Sequence, residues 1–494
     1  MSRGRRLGVL ACALLVVLAG CGAQGVDRPE TATATTEPTT TTEQPAVGTT
    51  DAPGDDSDPG IRYRGDSLSF EAAPVFDRVE SLLGVTADPP NAVSVENAST
   101  WFGTNVTERR APTGTGRFGA LVGVETAGSY ADLRETPNGA TSPFGSVRLY
   151  PGSGSPAALE VVLAHEFVHV VQFQRNQVSA VRRNVGGTST DARWTARSIV
   201  EGVAVWTETQ YVETYGLDAP TGGERTTTLY TEATPGTPFR HGQGAYRFGY
   251  DYVRNNSPGL DRVERLYERP PTTSEQVLHG LDPSSEPPAE LSVRTIADGT
   301  TWRGSATDTL GEAYARVVLE NGVSIPDSVD AAAGWGNDRL VSYRERPTAN
   351  ASFVWVTRWD TAADATEFRD AMNATLGAGG ERTGDRWRLD GDARATTDRP
   401  GDTTVVVTVG DAGLLDALDL SLDRDTIVLT TNQSAANTIW TIDAAPAVTT
   451  ATTGPVTAER PSALPALRTT PRRQFAQTSL APQTTTPEPA YAHI

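Results

Sequence analysis

Residues 155–175 read SPAALEVVLAHEFVHVVQFQR. Ser155 and Pro156 stand as the N-cap and first residue of a helix, and the apolar residues that follow continue it as one amphipathic helix. His165, Glu166 and His169 fall in it as H-E-x-x-H. In a helix, positions i and i+4 lie about 40° apart on one face. Two imidazoles so placed can grip one metal ion from the same side, with Glu166 one step round as a base for water. The chain has only five histidines in 494 residues. Chance would produce this pattern on the order of a few times per thousand such chains.

Zinc in a catalytic site needs a third protein ligand and an open position. The two cysteines, Cys12 and Cys21, both lie in the leader, so no thiolate is available to the folded part. The remaining histidines are His241, His279 and His493. Glu201 is the better third-ligand candidate. It follows an apolar run in residues 191–211, DARWTARSIVEGVAVWTETQY, a second clear helix. Small Gly202 and Ala204 beside it permit close approach of another helix. Glu208, two turns on, is the weaker candidate and is expected to be solvated.

Outward from these helices, residues 1–20 form a targeting segment. Arg3, Arg5 and Arg6 supply the charged start, and the apolar run after them is too short for a comfortable membrane span. Leu18-Ala19-Gly20-Cys21 resembles a lipobox, which makes Cys21 the expected lipidation site, and Arg5-Arg6 resembles a twin-arginine export signal. The expected location is the outer face of the cell membrane, held by the lipid. Residues 21–60 and 448–494 are rich in Thr and Pro with few large apolar side chains, and read as a disordered stalk and tail.

Sequons at Asn97, Asn105, Asn350, Asn373 and Asn432 are acceptors for surface glycans if the chain is exported. The net charge is −19, and all basic residues are Arg, with no Lys anywhere. Acidic, Lys-free, Thr-rich composition is similar to that of haloarchaeal proteins, whose dense carboxylates keep a surface hydrated in strong salt. No basic stripe exists beyond the first six residues, which argues against a nucleic-acid partner.

Residues 61–290 are expected to fold as one domain. Residues 68–83 have a helical rhythm ending at Gly84. Residues 146–150, SVRLY, alternate as a strand beside the metal-binding helix, where an edge could pair with an extended peptide. Residues 291–447 are expected to form a second domain. Its strands at 352–359, 385–389, 403–409 and 426–430 and helices at 362–376 and 412–420 follow the order β-α-β-β-α-β, which suggests a ferredoxin-like α+β fold. Trp335, Trp355 and Trp359 read as core.

His165-Glu166-Phe167-Val168-His169 with Glu201-Gly202-Val203-Ala204 resembles the gluzincin metallopeptidases, in particular the peptidase-MA-like group. Asp191 and Ala196 before Glu201-Gly202 match a D-x4-A-x4-E-G spacing of related proteins. Residues 246–252, YRFGYDY, are similar to their Y-x-x-G-x-x-F helix, and residues 270–279, PPTTSEQVLH, to a P-P-x-S-T-E-Q-x-L-H-P segment. Residues 334–339 and 355–360 resemble a following G-W-G-G-D and W-D pair. The resemblance spans about residues 70–368 and extends to a haloarchaeal surface lipoprotein family with a zincin core.

The resemblance implies a mainly helical zincin-like domain with a short sheet, followed by the α+β domain. It implies Zn²⁺ held by His165, His169 and Glu201, with Glu166 activating water. Tyr246 and His279, both in matching motifs, are the implied oxyanion donors, with His241 a third candidate. Val205 is apolar where many gluzincins place an Asp that orients a metal histidine, so that support must come from elsewhere. The implied activity is a lipid-anchored zinc metalloendopeptidase acting on protein or peptide substrates. The alternative is a non-catalytic surface protein that keeps the fold for a structural or adhesive role.

Overall fold

The computed structural model describes residues 61–65, 68–102, 115–124 and 134–432. The leader with Cys21, the Thr/Pro-rich stalk and tail, His493 and the Asn105 sequon lie outside these residues. The architecture is mixed α+β, as expected.

The N-terminal half opens with β1 (Arg62–Gly65), α1 (Ala72–Leu83), β2 (Ala92–Val95), α2 (Ala98–Phe102) and α3 (Thr115–Leu121). Next come β3 (Asn138–Thr141), β4 (Ser146–Tyr150) and α4 (Pro156–Gln174). These strands form one sheet in the order β1-β2-β4-β3. The first three run parallel, and β3 pairs antiparallel with β4. The strand expected at 146–150 is therefore interior, and among the described residues the edge strand beside α4 is β3. This corrects the expected position of a peptide-pairing edge. Its short sequence, Asn-Gly-Ala-Thr, lacks the apolar alternation that marks a strand.

A Gly/Ser turn leads from β4 into α4, where the Ser155 hydroxyl accepts from the Ala158 amide at 3.2 Å and Pro156 takes the first turn. Every residue from Val161 to Gln172 is buried. The helix is thus enclosed on all sides rather than amphipathic, between the sheet, α1 and the helices that follow. An enclosed helix must satisfy each polar side chain from within the protein.

After α4 come α5 (Gln177–Val185), α6 (Thr190–Tyr215), α7 (Gly222–Glu232), α8 (Pro238–Asn256), α9 (Glu264–Glu268) and α10 (Ser274–His279). The close approach expected at Gly202 is found between α6 and α8. A Cβ on Gly202 would fall 2.4 Å from the Gly249 carbonyl oxygen, and one on Gly249 would fall 2.1 Å from that of Ser198. Bare backbone on both sides lets these helices touch, which brings Tyr246 on α8 up to the face that carries Glu201.

The C-terminal half contains β5 (Ser292–Asp298), β6 (Arg303–Asp308), α11 (Glu312–Leu319), α12 (Ile325–Ala332), β7 (Trp335–Arg344), β8 (Ser352–Trp359) and α13 (Ala362–Gly379). It ends with β9 (Glu381–Thr383), β10 (Arg386–Arg388), β11 (Ala393–Gly401), β12 (Thr404–Asp411), α14 (Ala412–Ala417), β13 (Leu418–Asp423) and β14 (Thr426–Asn432). One seven-stranded antiparallel sheet has the order β6-β7-β8-β12-β11-β10-β9, and β13-β14-β5 form a second. Phe353 and Trp355 on β8 face one core while Val354 and Val356 face another, as expected for a strand covered on both sides. The three tryptophans Trp335, Trp355 and Trp359 are buried, as read from the sequence.

The β-α-β-β-α-β order does not close into one sheet. β14 joins β13 and β5, and β7 lies beside β8 on its far side. The helix expected to run to 420 stops at Ala417, because Asp419 and Ser421 alternate with Leu418, Leu420 and Leu422 in β13. β11, with the polar sequence ARATTDRPG, carries no hydrophobic period that would reveal it.

All described residues belong to one compact unit. Its first core gathers residues from Ile61 to Ala313, and the second recruits Phe118, Val122 and Val124 from the N-terminal half. Three of the quoted motifs meet where the halves join. Asp191 accepts from the Ser274 amide at 3.0 Å. Asp338 accepts from the Leu310 and Gly311 amides, each at 2.8 Å, and from Trp335 Nε1 at 3.1 Å. Among the described residues no helix is long and apolar enough to cross a membrane.

Candidate metal centre

His165 and His169 project from neighbouring turns of α4 toward α6. Their Nε2 atoms lie 3.2 Å apart. Glu201 Oε2, from α6, is 3.4 Å from His165 Nε2 and 3.3 Å from His169 Nε2. The three atoms form a nearly equilateral triangle. A tetrahedral zinc with bonds of about 2.0–2.1 Å requires ligand–ligand edges of about 3.3–3.4 Å. All three residues are buried, and Glu201 Oε2 has no hydrogen-bond partner. An orphaned buried carboxylate oxygen facing two imidazole nitrogens is costly unless a cation joins them. The donor set of two nitrogens and one oxygen fits zinc.

Behind each imidazole stands a partner for its other nitrogen. His165 Nδ1 is 3.0 Å from Glu208 Oε2, and Arg225 holds Glu208 through Nε at 2.9 Å and Nη2 at 2.7 Å. His169 Nδ1 is 2.7 Å from Gln172 Oε1. The Gln172 amide in turn donates to the Val200 carbonyl and the Tyr267 hydroxyl, each at 2.9 Å. Both acceptors select the Nδ1–H tautomer, which leaves the two Nε2 lone pairs aimed at one point.

Glu208 is therefore not solvated but fully buried, and it supplies the orientation that Val205 cannot. Seven residues, about two turns, put it on the same side of α6 as Glu201. Gln172 is legible as the first polar residue after the motif, three positions past His169 and between Val171 and Phe173.

The electrostatics favour positive charge. Burial disfavours a charged His165, but the Glu201 and Glu208 carboxylates outweigh it and raise its pKa to about 9. Burial is likewise overcome at Glu201, held well below the ordinary range by His169 and His165, and at Glu208, lowered to about 2 chiefly by Arg225.

Glu166, beside the ligands, is held by β3. Its Oε2 lies 2.7 Å from Thr141 Oγ1. A Cβ on Gly139 would fall 2.4 Å from Glu166 Cγ, so the strand lies directly against the side chain. Burial raises the Glu166 pKa, opposed by the charges of His169 and His165. A carboxylate of raised basicity suits a proton acceptor.

Tyr246 closes another side, its ring stacked on His165 with centroids 6.4 Å apart. Arg197 Nη2 donates to its hydroxyl at 3.1 Å, and Arg197 Nε is 3.7 Å from Glu201 Oε1. Burial raises the Tyr246 pKa, so the phenol keeps its proton.

His279 is placed elsewhere: its Nε2 is 3.0 Å from both carboxylate oxygens of Glu312 on α11, next to Arg316. His241 packs against Trp194 and Tyr314, and burial with the nearby Arg197 lowers its pKa to about 3. Its backbone carbonyl accepts from Trp194 Nε1 at 2.9 Å. Of the sequons, Asn97 accepts from the Thr100 amide at 3.0 Å at the start of α2, Asn350 is exposed, and Asn373 accepts from Thr397 at 2.6 Å.

A family model described as a domain of unknown function (DUF8575) matches residues 299–419, downstream of every residue of the metal centre. Neither the curated proteins nor the solved structures contain a match to this chain.

Proposed function

We propose that this chain is a zinc-dependent peptide hydrolase of the gluzincin type, with a zincin-like N-terminal half. The observation that carries the reading is the triangle of His165 Nε2, His169 Nε2 and Glu201 Oε2, with edges of 3.2, 3.4 and 3.3 Å. Zinc bound there would supply a Lewis acid and make water a stronger acid. Glu166 is the proton acceptor for the attacking water and can return the proton to the leaving amine. Thr141 orients its carboxylate. Glu208 and Gln172 keep both imidazoles in the ligating tautomer. Tyr246, protonated and beside His165, is the proposed side-chain donor for a developing oxyanion. Among the described residues β3 is the edge strand of its sheet beside α4, and an edge strand can take up an extended peptide, which favours a peptide bond as substrate. The lipobox-like sequence Leu18-Ala19-Gly20-Cys21 supports a lipid tether outside the membrane as the location of this activity.

The test is metal content and cleavage together. The wild type should hold one zinc per chain by elemental analysis and cleave a casein-type substrate in high salt. His165→Ala should lose the zinc. Glu166→Gln should keep it and lose at least about 10²-fold in kcat. Undiminished cleavage by Glu166→Gln would remove the proposed base. A zinc-loaded wild type that cleaves no member of a peptide library would leave the structural or adhesive reading.

A further inference from the structure

Arg197 lies on α6 one helical turn before Glu201 and on the same face. Its side chain is 16% exposed, and Nε stands 3.7 Å from Glu201 Oε1, the carboxylate oxygen left outside the triangle of ligand atoms. Nη2 donates to the Tyr246 hydroxyl at 3.1 Å, and Cζ lies over the Tyr246 ring, 5.0 Å from its centroid. One guanidinium thus reaches a candidate ligand of α6 and a phenol of α8 at once. A planar fork with fixed donor directions can do this, whereas a single ammonium point charge holds one partner well at a time.

Arginine carries donors and no acceptor, so in this hydrogen bond the Tyr246 oxygen accepts and the phenol proton points elsewhere. Among the described residues Arg197 is the one hydrogen-bond partner of this hydroxyl. Tyr246 is partly exposed and its ring stacks on His165, so that proton is available to a group bound beside the candidate ligands. Donation to the oxygen also polarises the O–H bond and makes it a stronger donor.

We propose that Arg197 is a positioning residue for Tyr246: it grips the phenol oxygen from α6 and leaves the phenol proton for the substrate carbonyl oxygen. The inference rests on the zinc-peptidase reading and adds a residue to it. As water adds to the peptide carbon, a C–O bond forms, the carbonyl π pair moves onto oxygen and the water proton passes to Glu166. Tyr246 donates a hydrogen bond to that oxygen and keeps its proton. Arg197 touches neither the substrate nor the reacting atoms. Its effect is realised only as charge develops on the oxygen, so it belongs to kcat and not to KM.

The test is a double-mutant cycle on the full-length protein, with kcat, KM and zinc content measured for each sample. Tyr246→Phe should lower kcat about 10²-fold. Arg197→Gln should lower it at least about 10-fold, with KM unchanged and zinc retained. In the Tyr246→Phe background, Arg197→Gln should cost less than about twofold, since the group it positions is gone. A readout independent of catalysis is fluorine NMR of fluorotyrosine incorporated at position 246, recorded without added metal or substrate, where Arg197→Gln should shift or broaden the resonance. An equal cost of Arg197→Gln in both backgrounds, a loss confined to KM, loss of zinc from Arg197→Gln, or an unchanged fluorine resonance would each overturn the proposal while the zinc reading stands. A wild type that holds no zinc or cleaves no peptide would overturn both.

Discussion

At the residue scale, the candidate metal centre depends on groups that never touch the converging atoms of His165, His169 and Glu201. Glu208 is the clearest case. It is buried, paired with Arg225 and 3.0 Å from His165 Nδ1. Glu208→Gln keeps an acceptor for that nitrogen but removes the charge that strengthens the imidazole as a donor to metal. Zinc affinity should fall about 10–100-fold, measured by competition with a chromogenic chelator, while the far-UV circular dichroism stays native. Unchanged affinity would show that position rather than charge is what Glu208 contributes. Arg225 is partly exposed and can be resolvated, so the variant is not expected to unfold.

At the scale of elements, the decisive contact is β3 against α4. Gly139 is required there because any side chain would enter the space of Glu166. Gly139→Ala should leave zinc content unchanged, since His165, His169 and Glu201 lie on the two helices. It should lower kcat by about 10–100-fold, because the base must move by about 1 Å to clear the new methyl. Steady-state kinetics with elemental analysis on the same sample separates the two effects. Loss of zinc together with activity would mean that β3 supports the ligands as well as the base.

At the scale of the whole molecule, the junction between the halves holds buried acids whose protonation is linked to stability. Burial pushes Asp191 up from 3.8 to about 7, with the Ser274 hydrogen bonds opposing it and Asp338 and Glu312 adding to it. Burial likewise raises Asp338 to about 6 against its backbone and tryptophan donors. The folded state thus holds protons that the unfolded chain releases above about pH 4. Their contribution to stability is fully present below pH 4 and is lost as pH rises toward 7. Asp191→Asn keeps an acceptor for the Ser274 amide and removes the titration. Its Tm should match the wild type at pH 4 and exceed it by a few degrees at pH 8. A parallel offset at every pH would show that Asp191 does not titrate in this window.

What the sequence determined by itself is local. The cap at Ser155–Pro156, the helix after it and the one-turn spacing of His165 and His169 are set within a few residues, by backbone geometry and side-chain period. Glu201 was legible because an acid in an apolar helix with glycine beside it must meet a partner. The tertiary structure decided everything that depends on which segments meet. Thr141 reaches Glu166 across 25 residues and Glu208 reaches His165 across 43. The polar strand β3 is a strand only because β4 offers it hydrogen bonds. β14 leaves the seven-stranded sheet because β13 and β5 give it neighbours that no periodicity announces. Glu208 is spelled like a solvated surface acid, and only Arg225 on α7, brought over it by the fold, makes its burial affordable.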